Sequence, residues 1–365
     1  MRIAFLSSAN NPLVISKINY FLENGHEVYY FSLPSRGKSK IPEGVKSIPL
    51  NPIYILRNIQ FFRWGLSFVK LWNITKVQRI DILQIMGLGA IMFAPFSRSK
   101  NVVLSHMGSD TILGPQNNVL IKLMMYKFCY RYINAVTQDS NIAQEGGYRL
   151  GAPVDNNLLI EIGVNFKYFH LGIEYGIMRK KLGIGMNKKI VFSSRNIEPL
   201  YNIDKIIETI LIVKSKIKDV IYLITTYGHD YQMYVELAEK LGVSEDIIFL
   251  DYLDQNKDLP FYNRDADVVV SIPSSDSSPG SVYQAMACGT PVIVSELPWY
   301  KGKFKRDHDF ITVPVNDVNK LAFNIIKVLS GKKKLNILEA YNKVYEKVDW
   351  YKENRKLEKL YVSLL

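Results

Sequence analysis

Short apolar runs rich in Val, Ile, Phe and Tyr alternate with helical patterns along this chain, and the alternation starts twice. The first series is Ile3 to Ser7, Glu27 to Leu33, Ile82 to Met86, Val102 to His106 and Ala135 to Gln138. The second is Ile190 to Ser194, Ile221 to Thr225, Ile247 to Leu250, Val268 to Ile272 and Pro291 to Ser295. A strand covered on both faces reads as a continuous apolar run, and parallel neighbours need helical crossovers, so this rhythm predicts parallel sheets. Two series predict two doubly wound α/β domains, as does a length of 365 residues, more than one core usually serves. A polar, Gly-containing segment around Gly163 to Gly185 places the junction near residues 166 to 175. The expected domains are therefore 1–168 and 169–349. A final helical segment, 350–365, carries Leu357, Leu360 and Tyr361 on one face and is expected to pack back on the first domain. Ile203 to Ile217 and Tyr231 to Leu241 have helical spacing and end in Lys or Gly, which are helix stops.

Two such domains would present the carboxyl ends of their strands to ligands, which is where open α/β sheets bind them. Charge suggests the kind of ligand. The chain has 46 Lys and Arg against 34 Asp and Glu, a net charge of +12, so an anionic partner is expected: nucleic acid, anionic lipid or a phosphorylated substrate. Only Cys129 and Cys288 occur, each in an apolar stretch, which fits a reducing compartment and gives no zinc or disulfide framework. The first residues lack a secretory pattern and no window reaches 18 uninterrupted apolar residues, so a cytoplasmic protein is expected.

The stretch Ser271 to Ser295, SIPSSDSSPGSVYQAMACGTPVIVS, reads as a strand end, a small-residue loop, a helix start and a turn into another strand. Amides at a helix N-terminus lack intrahelical partners and carry partial positive charge, so the loop Ser277-Ser278-Pro279-Gly280-Ser281 suits phosphate or hydroxyl oxygens. The same residue types also make ordinary loop-to-helix caps. Asp276 and Gln284 flank this loop eight positions apart. At another strand end, Ser193-Ser194-Arg195-Asn196-Ile197-Glu198 offers a guanidinium able to bind two phosphate oxygens; alternatively, Arg195 pairs locally with Glu198. Gly228, after the strand Ile221 to Thr225, either admits a ligand to the backbone or turns the chain. His106 and Asp110 share a strand end in the first half, where the imidazole would handle a proton or a hydroxyl, or be structural.

Other patterns are weaker. Asp265-Ala266-Asp267 imitates a metal-binding D-x-D but runs directly into a strand, and Gly87-Leu88-Gly89 lacks the third glycine of a dinucleotide fingerprint, having Met92 there. Ile53 to Lys76 contains no acid and mixes Phe61, Phe62, Trp64, Phe68, Leu71 and Trp72 with Arg57, Arg63, Lys70 and Lys76. It suits a helix lying on an anionic membrane surface, or a core-packing helix with a basic edge. Lys122 to Arg131 is basic and aromatic as well.

The order of features resembles the family 4 glycosyltransferases of GT-B fold across nearly the whole chain. The resemblance is carried by Asn24-Gly25-His26-Glu27-Val28, by His106-Met107-Gly108-Ser109-Asp110, by Ile162-Gly163-Val164-Asn165 with Phe169, by Arg195, and by Asp267-Val268. Its most specific block is Ala285-Met286-Ala287-Cys288-Gly289-Thr290-Pro291-Val292-Ile293. It implies two Rossmann-like domains facing across a cleft, with the donor held by the C-terminal domain and the acceptor by the N-terminal one. It implies a retaining, metal-independent transfer of a sugar from a nucleotide diphosphate donor, UDP- or GDP-linked, to an acceptor. Together with the basic aromatic segment, it leads to the expectation of a membrane-peripheral enzyme with a lipid-linked or saccharide acceptor in cell-envelope glycan synthesis. By this resemblance Arg195, with Glu198, Tyr201 and Gly228, would bind the donor. Ser278, Pro279, Gly280 and Ser281 would touch its sugar and phosphate, and Gln284 would meet the ribose. Asp276 would meet the transferred sugar, while His106 and Asp110 would face the reaction centre.

The departures from the family pattern are specific. Asp276 and Gln284 stand where many members carry two glutamates, Leu200 stands where a lysine usually accompanies the arginine, and Asn165 replaces a common Asp. Asn10-Asn11-Pro12 replaces a Gly-Gly loop. A front-side displacement would need the diphosphate's charge stabilised, with loop amides near Ser278 to Ser281 replacing the lysine. The alternatives are a non-catalytic sugar-nucleotide binder supporting a partner enzyme, and a nucleic-acid-binding protein, which charge alone motivates.

Overall fold

The apolar runs form a seven-stranded and a six-stranded sheet, parallel throughout. The computed structural model describes residues 1–7, 12–33, 41–50, 60–114, 119–226 and 231–365. Asn10, Asn11, Ile53 to Ile59 with Arg57, and Gly228 lie outside the described residues, as do the side chains of Phe61, Phe62, Arg63, Trp64 and Ser109. The chain divides into two units, one formed by Met1–Ile162 with Tyr351–Leu365 and the other by Gly163–Trp350.

The first unit contains β1 (Arg2–Ser7), β2 (Glu27–Ser32), β3 (Lys46–Pro49), β4 (Ile82–Met86), β5 (Asn101–Ser105), β6 (Ala135–Gln138) and β7 (Asn157–Leu159), in the order β3-β2-β1-β4-β5-β6-β7. Its last helix, Trp350–Ser363, is tied down by polar contacts as well as apolar ones. Tyr361 stacks on Phe21 with ring centroids 5.2 Å apart, and its hydroxyl donates to Gln84 Oε1 at 2.5 Å. Glu358 accepts from Tyr20 at 2.8 Å and sits 2.7 Å from His26 Nε2, while Glu353 accepts from the Glu161 amide at 2.9 Å. Leu357, Leu360 and Tyr361 are buried.

From residue 65 on, where its side chains are described, the helix Gln60–Val77 packs on the unit. Leu71 is buried, Phe68 stacks on Phe96 at 4.2 Å, and Trp72 takes the cations of Lys76 and Arg98 against its ring. Of the two readings of this basic, aromatic segment, these residues follow the one with a core face and a solvated basic edge.

The second unit contains β8 (Lys189–Ser193), β9 (Val220–Thr225), β10 (Ile247–Leu250), β11 (Val268–Ser271), β12 (Val292–Ser295) and β13 (Ile311–Val313), in the order β10-β9-β8-β11-β12-β13. The period-two alternation of strand side chains divides its core into two layers. Ile190, Phe192, Leu223, Val269, Val292 and Val294 fill one layer, and Val191, Tyr222, Ile224, Val268, Val270 and Ile293 fill the other. Where the chain enters this unit, Val164 pairs with the segment that leaves it: Val164 N donates to Val348 O at 2.7 Å and Trp350 N to Val164 O at 3.0 Å. The closeness requires Gly163, because a Cβ there would lie 2.5 Å from Trp350 Cα.

Both aspartates of the D-x-D pattern serve this unit's own backbone. Asp265 is fully buried and accepts from the amides of Gly176, Met178 and Arg179 at 2.5, 2.8 and 3.1 Å, satisfying the start of the helix Ile177–Leu182. Asp267 pairs with Arg179 at 2.8 Å and Lys189 at 3.0 Å and accepts from Ile190 N at 2.9 Å.

Candidate functional site

In the second unit the strand order reverses between β8 and β11, parallel neighbours whose following connections run to opposite halves of the sheet. Such a switch point is where doubly wound sheets open a crevice at their carboxyl edge. Arg195 follows β8 and Asp276 follows β11, and the structure brings them together as an ion pair. The guanidinium also lies over the Tyr201 ring, 4.7 Å from its centroid, and burial raises the Tyr201 phenol above its usual pKa. Thr225, at the end of β9, donates to the Arg195 carbonyl at 2.8 Å. The local alternative, Arg195 with Glu198, is not the one formed: the Glu198 carboxylate has no hydrogen bond among the described residues, and Arg195 reaches across to the neighbouring strand end instead.

Asn202 joins these two loops. Its backbone is left-handed, with φ of 52°, a conformation Asn tolerates better than most residues. From there its amide donates to Ile272 O at 2.7 Å and to Ser274 Oγ at 3.0 Å, and Ser274 N donates to Leu200 O at 2.8 Å. The segment carrying Tyr201 is thus fastened to the segment carrying Asp276.

Around this pair the structure leaves hydrogen-bonding capacity unused. Ser193 Oγ, Ser271 Oγ, Ser275 Oγ, Ser281 Oγ and Arg195 Nε are buried without a partner among the described residues. A buried polar atom with no partner costs about 1–3 kcal/mol, so several at one strand edge indicate a surface built for something polar. The helix Gly280–Ala287 begins here with no side-chain cap, its first amides backed by Pro279. Ser277 and Ser278 are buried in the same loop, and Ser277 N donates to Asp276 Oδ1 at 2.9 Å. Gln284 lies one helical turn on, buried and with no side-chain hydrogen bond among the described residues. Sequence reasoning passed over Asn202 and the serines of β8 and β11. Their common signal was position, since each stands at or just after a strand end beside a residue already singled out.

The carboxyl edge of the first unit's sheet is arranged differently. Gln84 donates to Ser105 Oγ at 3.0 Å, and Ser105 is 2.6 Å from Thr137 Oγ1, so three strands are joined by side chains. The structure places the His106 imidazole inside the unit: Gln138 Nε2 stands 2.5 Å from Nδ1 and Tyr130 OH 2.9 Å from Nε2. Burial brings its pKa down to about 4, so the ring is neutral and has no uncommitted nitrogen. A Cβ on Gly147 would lie 2.6 Å from Gln138 Nε2 and 3.1 Å from the His106 ring, so a side chain here would push on the Gln138–His106 contact. Asp110 Oδ2 accepts from Leu88 N at 2.9 Å and Met107 N at 3.3 Å, joining the loop after β4 to the loop after β5. Burial raises its pKa against the effect of those amides. Thr111 Oγ1 and Gln138 Oε1 remain without partners among the described residues.

Two family models match successive segments: Glycosyl transferase 4-like over residues 2–140, and Glycosyl transferases group 1 over residues 175–345. This chain is a family 4-like glycosyltransferase of GT-B fold. The glycosyltransferase is 26% identical, over 355 residues, to an uncharacterized glycosyltransferase of Methanocaldococcus jannaschii, covering 90% of this chain and 87% of the relative. In fold it is similar to Anabaena HepE, solved with UDP-glucose, at a TM-score of 0.79 and 16% identity over 100% of both chains. Sucrose-phosphate synthase from Thermosynechococcus elongatus also superposes at 0.79, with 19% identity over 100% of this chain and 99% of that one. The segment matched to Glycosyl transferases group 1 contains Arg195, Asp276 and all four partnerless serines described above. Among the described residues, no helix is long and apolar enough to cross a membrane.

Proposed function

We propose that this glycosyltransferase takes its sugar from a nucleotide diphosphate donor, UDP- or GDP-linked, held at the β8–β11 edge of the second unit. The observation that carries the reading is the set of partnerless buried polar atoms around Arg195 and Asp276, in the segment that matches Glycosyl transferases group 1. Similarity to a protein solved with UDP-glucose supports the donor class. Arg195 binds the diphosphate, each charge-assisted hydrogen bond contributing about 1.5–3 kcal/mol, with Tyr201 fixing the plane of the guanidinium. Diphosphate and Asp276 compete for the same cation, so donor binding releases the carboxylate to the hydroxyls of the transferred sugar. The amides and hydroxyls of Ser278 to Ser281 take phosphate and sugar oxygens, and Gln284 takes the ribose. Glu198 and Gly228 complete the donor side.

The transfer is a retaining front-side displacement. The bond from the sugar's anomeric carbon to the diphosphate oxygen breaks, and the acceptor hydroxyl bonds to that carbon from the same face. The hydroxyl proton passes to the departing phosphate oxygen. Leu200 supplies no second cation, so Arg195 and the uncapped helix start stabilise the developing charge without a metal. On the acceptor side, Asp110 shapes the loops after β4 and β5, and His106 positions that edge as a neutral ring. The acceptor is a lipid-linked or other saccharide in cell-envelope glycan synthesis, on the cytoplasmic side of the membrane.

Incubation of the purified chain with a panel of UDP- and GDP-sugars tests the reading. Release of nucleoside diphosphate with one of them, and a product of unchanged anomeric configuration once an acceptor is found, is the expected result. Tight binding with no turnover across the panel and a range of acceptors would instead favour a non-catalytic sugar-nucleotide binder, and inversion would remove the front-side mechanism.

A further inference from the structure

The loop that follows β12 concentrates positive charge. In Lys301-Gly302-Lys303-Phe304-Lys305-Arg306 four of six residues are cationic, and Lys301, Lys305 and Arg306 are exposed. Lys333 and Lys347 bring their ammonium groups to its backbone, donating to Asp307 O at 2.8 Å and to Gly302 O at 3.5 Å. Acids offset little of this charge. Arg306 pairs with Glu296 at 2.7 Å, whereas Lys301 and Lys305 have no ion pair among the described residues. Asp309 is buried and committed to Lys343 at 2.8 Å and to the Lys305 amide at 2.7 Å, which leaves Asp307 as the loop's other acid. Like charges repel, so a loop fastened in this way holds an unfavourable charge density that a bound anion relieves.

The loop is mounted on the candidate donor site. Tyr283, between Ser281 and Gln284 on the helix Gly280–Ala287, stacks on Phe304 with ring centroids 5.6 Å apart and meets Trp299 edge-on at 5.8 Å. Ser295 Oγ, at the end of β12, donates to Pro273 O at 2.7 Å in the segment leading to Asp276. Trp299, Tyr300, Phe304 and Phe310 are all buried, so the loop keeps its rings inside and its cations at the surface. None of these rings is available to stacking bases, and none forms an apolar wedge for a bilayer. A discrete anion fits better than either. We propose that this loop binds a carboxylate or phosphate group carried by the acceptor saccharide, which makes the acceptor an acidic glycan. The proposal rests on the donor placement above, because the attacking hydroxyl must reach an anomeric carbon held at the β8–β11 edge. β12 is the next strand along that edge.

Calorimetric titration of the full chain at low salt tests it, with uridine diphosphate and guanosine diphosphate titrated separately. Oligogalacturonate supplies carboxylates and glucose phosphate supplies a phosphate; methyl-esterified oligogalacturonate and glucose are their neutral counterparts. The wild type is expected to bind at least one anionic probe and neither neutral one, with affinity falling as salt rises. Lys301→Gln/Lys305→Gln should weaken that binding on the order of tenfold and leave nucleoside diphosphate affinity unchanged. Lys216→Gln/Lys218→Gln, the same change of charge at exposed positions ahead of β9, should alter neither. Far-UV circular dichroism reports whether each variant remains folded. The proposal is overturned if neither anionic probe binds, or if both double variants weaken binding equally. It is equally overturned if the loop variant loses nucleoside diphosphate affinity to the same extent, which would assign the cations to the donor, or if DNA binds more tightly than either saccharide and is released by the loop variant. Saccharide binding that the loop variant loses, in a chain that binds neither diphosphate, would keep the loop's site and remove the donor placement alone.

Discussion

The two sheets share the order that places their first strand beside their fourth, but their carboxyl edges commit their hydrogen-bonding groups to different extents. In the first unit, hydrogen bonds join Gln84, Ser105 and Thr137 and hold His106 between Tyr130 and Gln138 with its imidazole neutral, leaving only Gln138 Oε1 and Thr111 Oγ1 of this group without partners among the described residues. In the second, Arg195 meets Asp276 while Arg195 Nε and four serine hydroxyls remain without partners among the described residues. Similar topology therefore accommodates a more closed edge and a more open one. The chemistry belongs to the side chains grafted on the fold. A buried network gains rigidity by being satisfied, whereas a ligand site keeps donors unsatisfied until the ligand arrives.

The difference can be broken first at Arg195. Arg195→Ala should weaken uridine diphosphate or guanosine diphosphate binding at least about a hundredfold, since two charge-assisted bonds of roughly 1.5–3 kcal/mol each are lost. Calorimetric titration checks this, and an unchanged affinity would remove the diphosphate assignment.

A pH titration of stability addresses the closed edge. The folded His106 has a pKa of about 4 against an ordinary 6.5, so between those values the unfolded chain binds a proton that the folded one refuses. Its contribution is fully present above the unfolded pKa and is lost as pH falls towards the folded one, up to roughly 3 kcal/mol. Asp110, raised by burial, acts in the opposite sense. Denaturant unfolding should show His106→Gln losing less stability than the wild type across this window; parallel curves would mean that the imidazole is not held neutral.

A pair of serine substitutions gives the smallest effect and the closest contrast. Ser105→Ala leaves the Gln84 amide and the Thr137 hydroxyl short of a partner and should cost about 1–3 kcal/mol. Ser271→Ala deletes a hydroxyl that has no partner among the described residues, so stability should be unchanged or slightly higher while donor affinity falls. Equal destabilisation by both would erase the distinction between the edges.

Much of the fold was legible because strands buried on both faces cannot hide their apolar runs. What escaped was β3, β7 and β13, which are short and lie at sheet edges. Lys46–Pro49 is the clearest case, exposed along most of its length and ending in proline, as edge strands tend to be. The helix expected over Ile203 to Ile217 is interrupted at Thr209, whose hydroxyl donates to Ile206 O at 2.6 Å and lies 3.1 Å from Tyr222 OH. At the candidate site, residue types named Arg195 and Asp276 but not their pairing, because partner choice is settled by tertiary packing. His106 was singled out for its chemistry, yet its burial between Tyr130 and Gln138 follows from contacts 24 and 32 positions away. Serines are too common to carry meaning until their burial is known.

Hydrogen–deuterium exchange with and without uridine diphosphate or guanosine diphosphate tests the central claim most directly. If the open edge is the donor site, protection should rise in peptides spanning Ser193 to Asn202 and Ser271 to Gln284, while peptides covering Ser105 to Asp110 stay unchanged. Protection confined to the first unit's edge, or none at saturating concentrations of either nucleotide, would contradict the account.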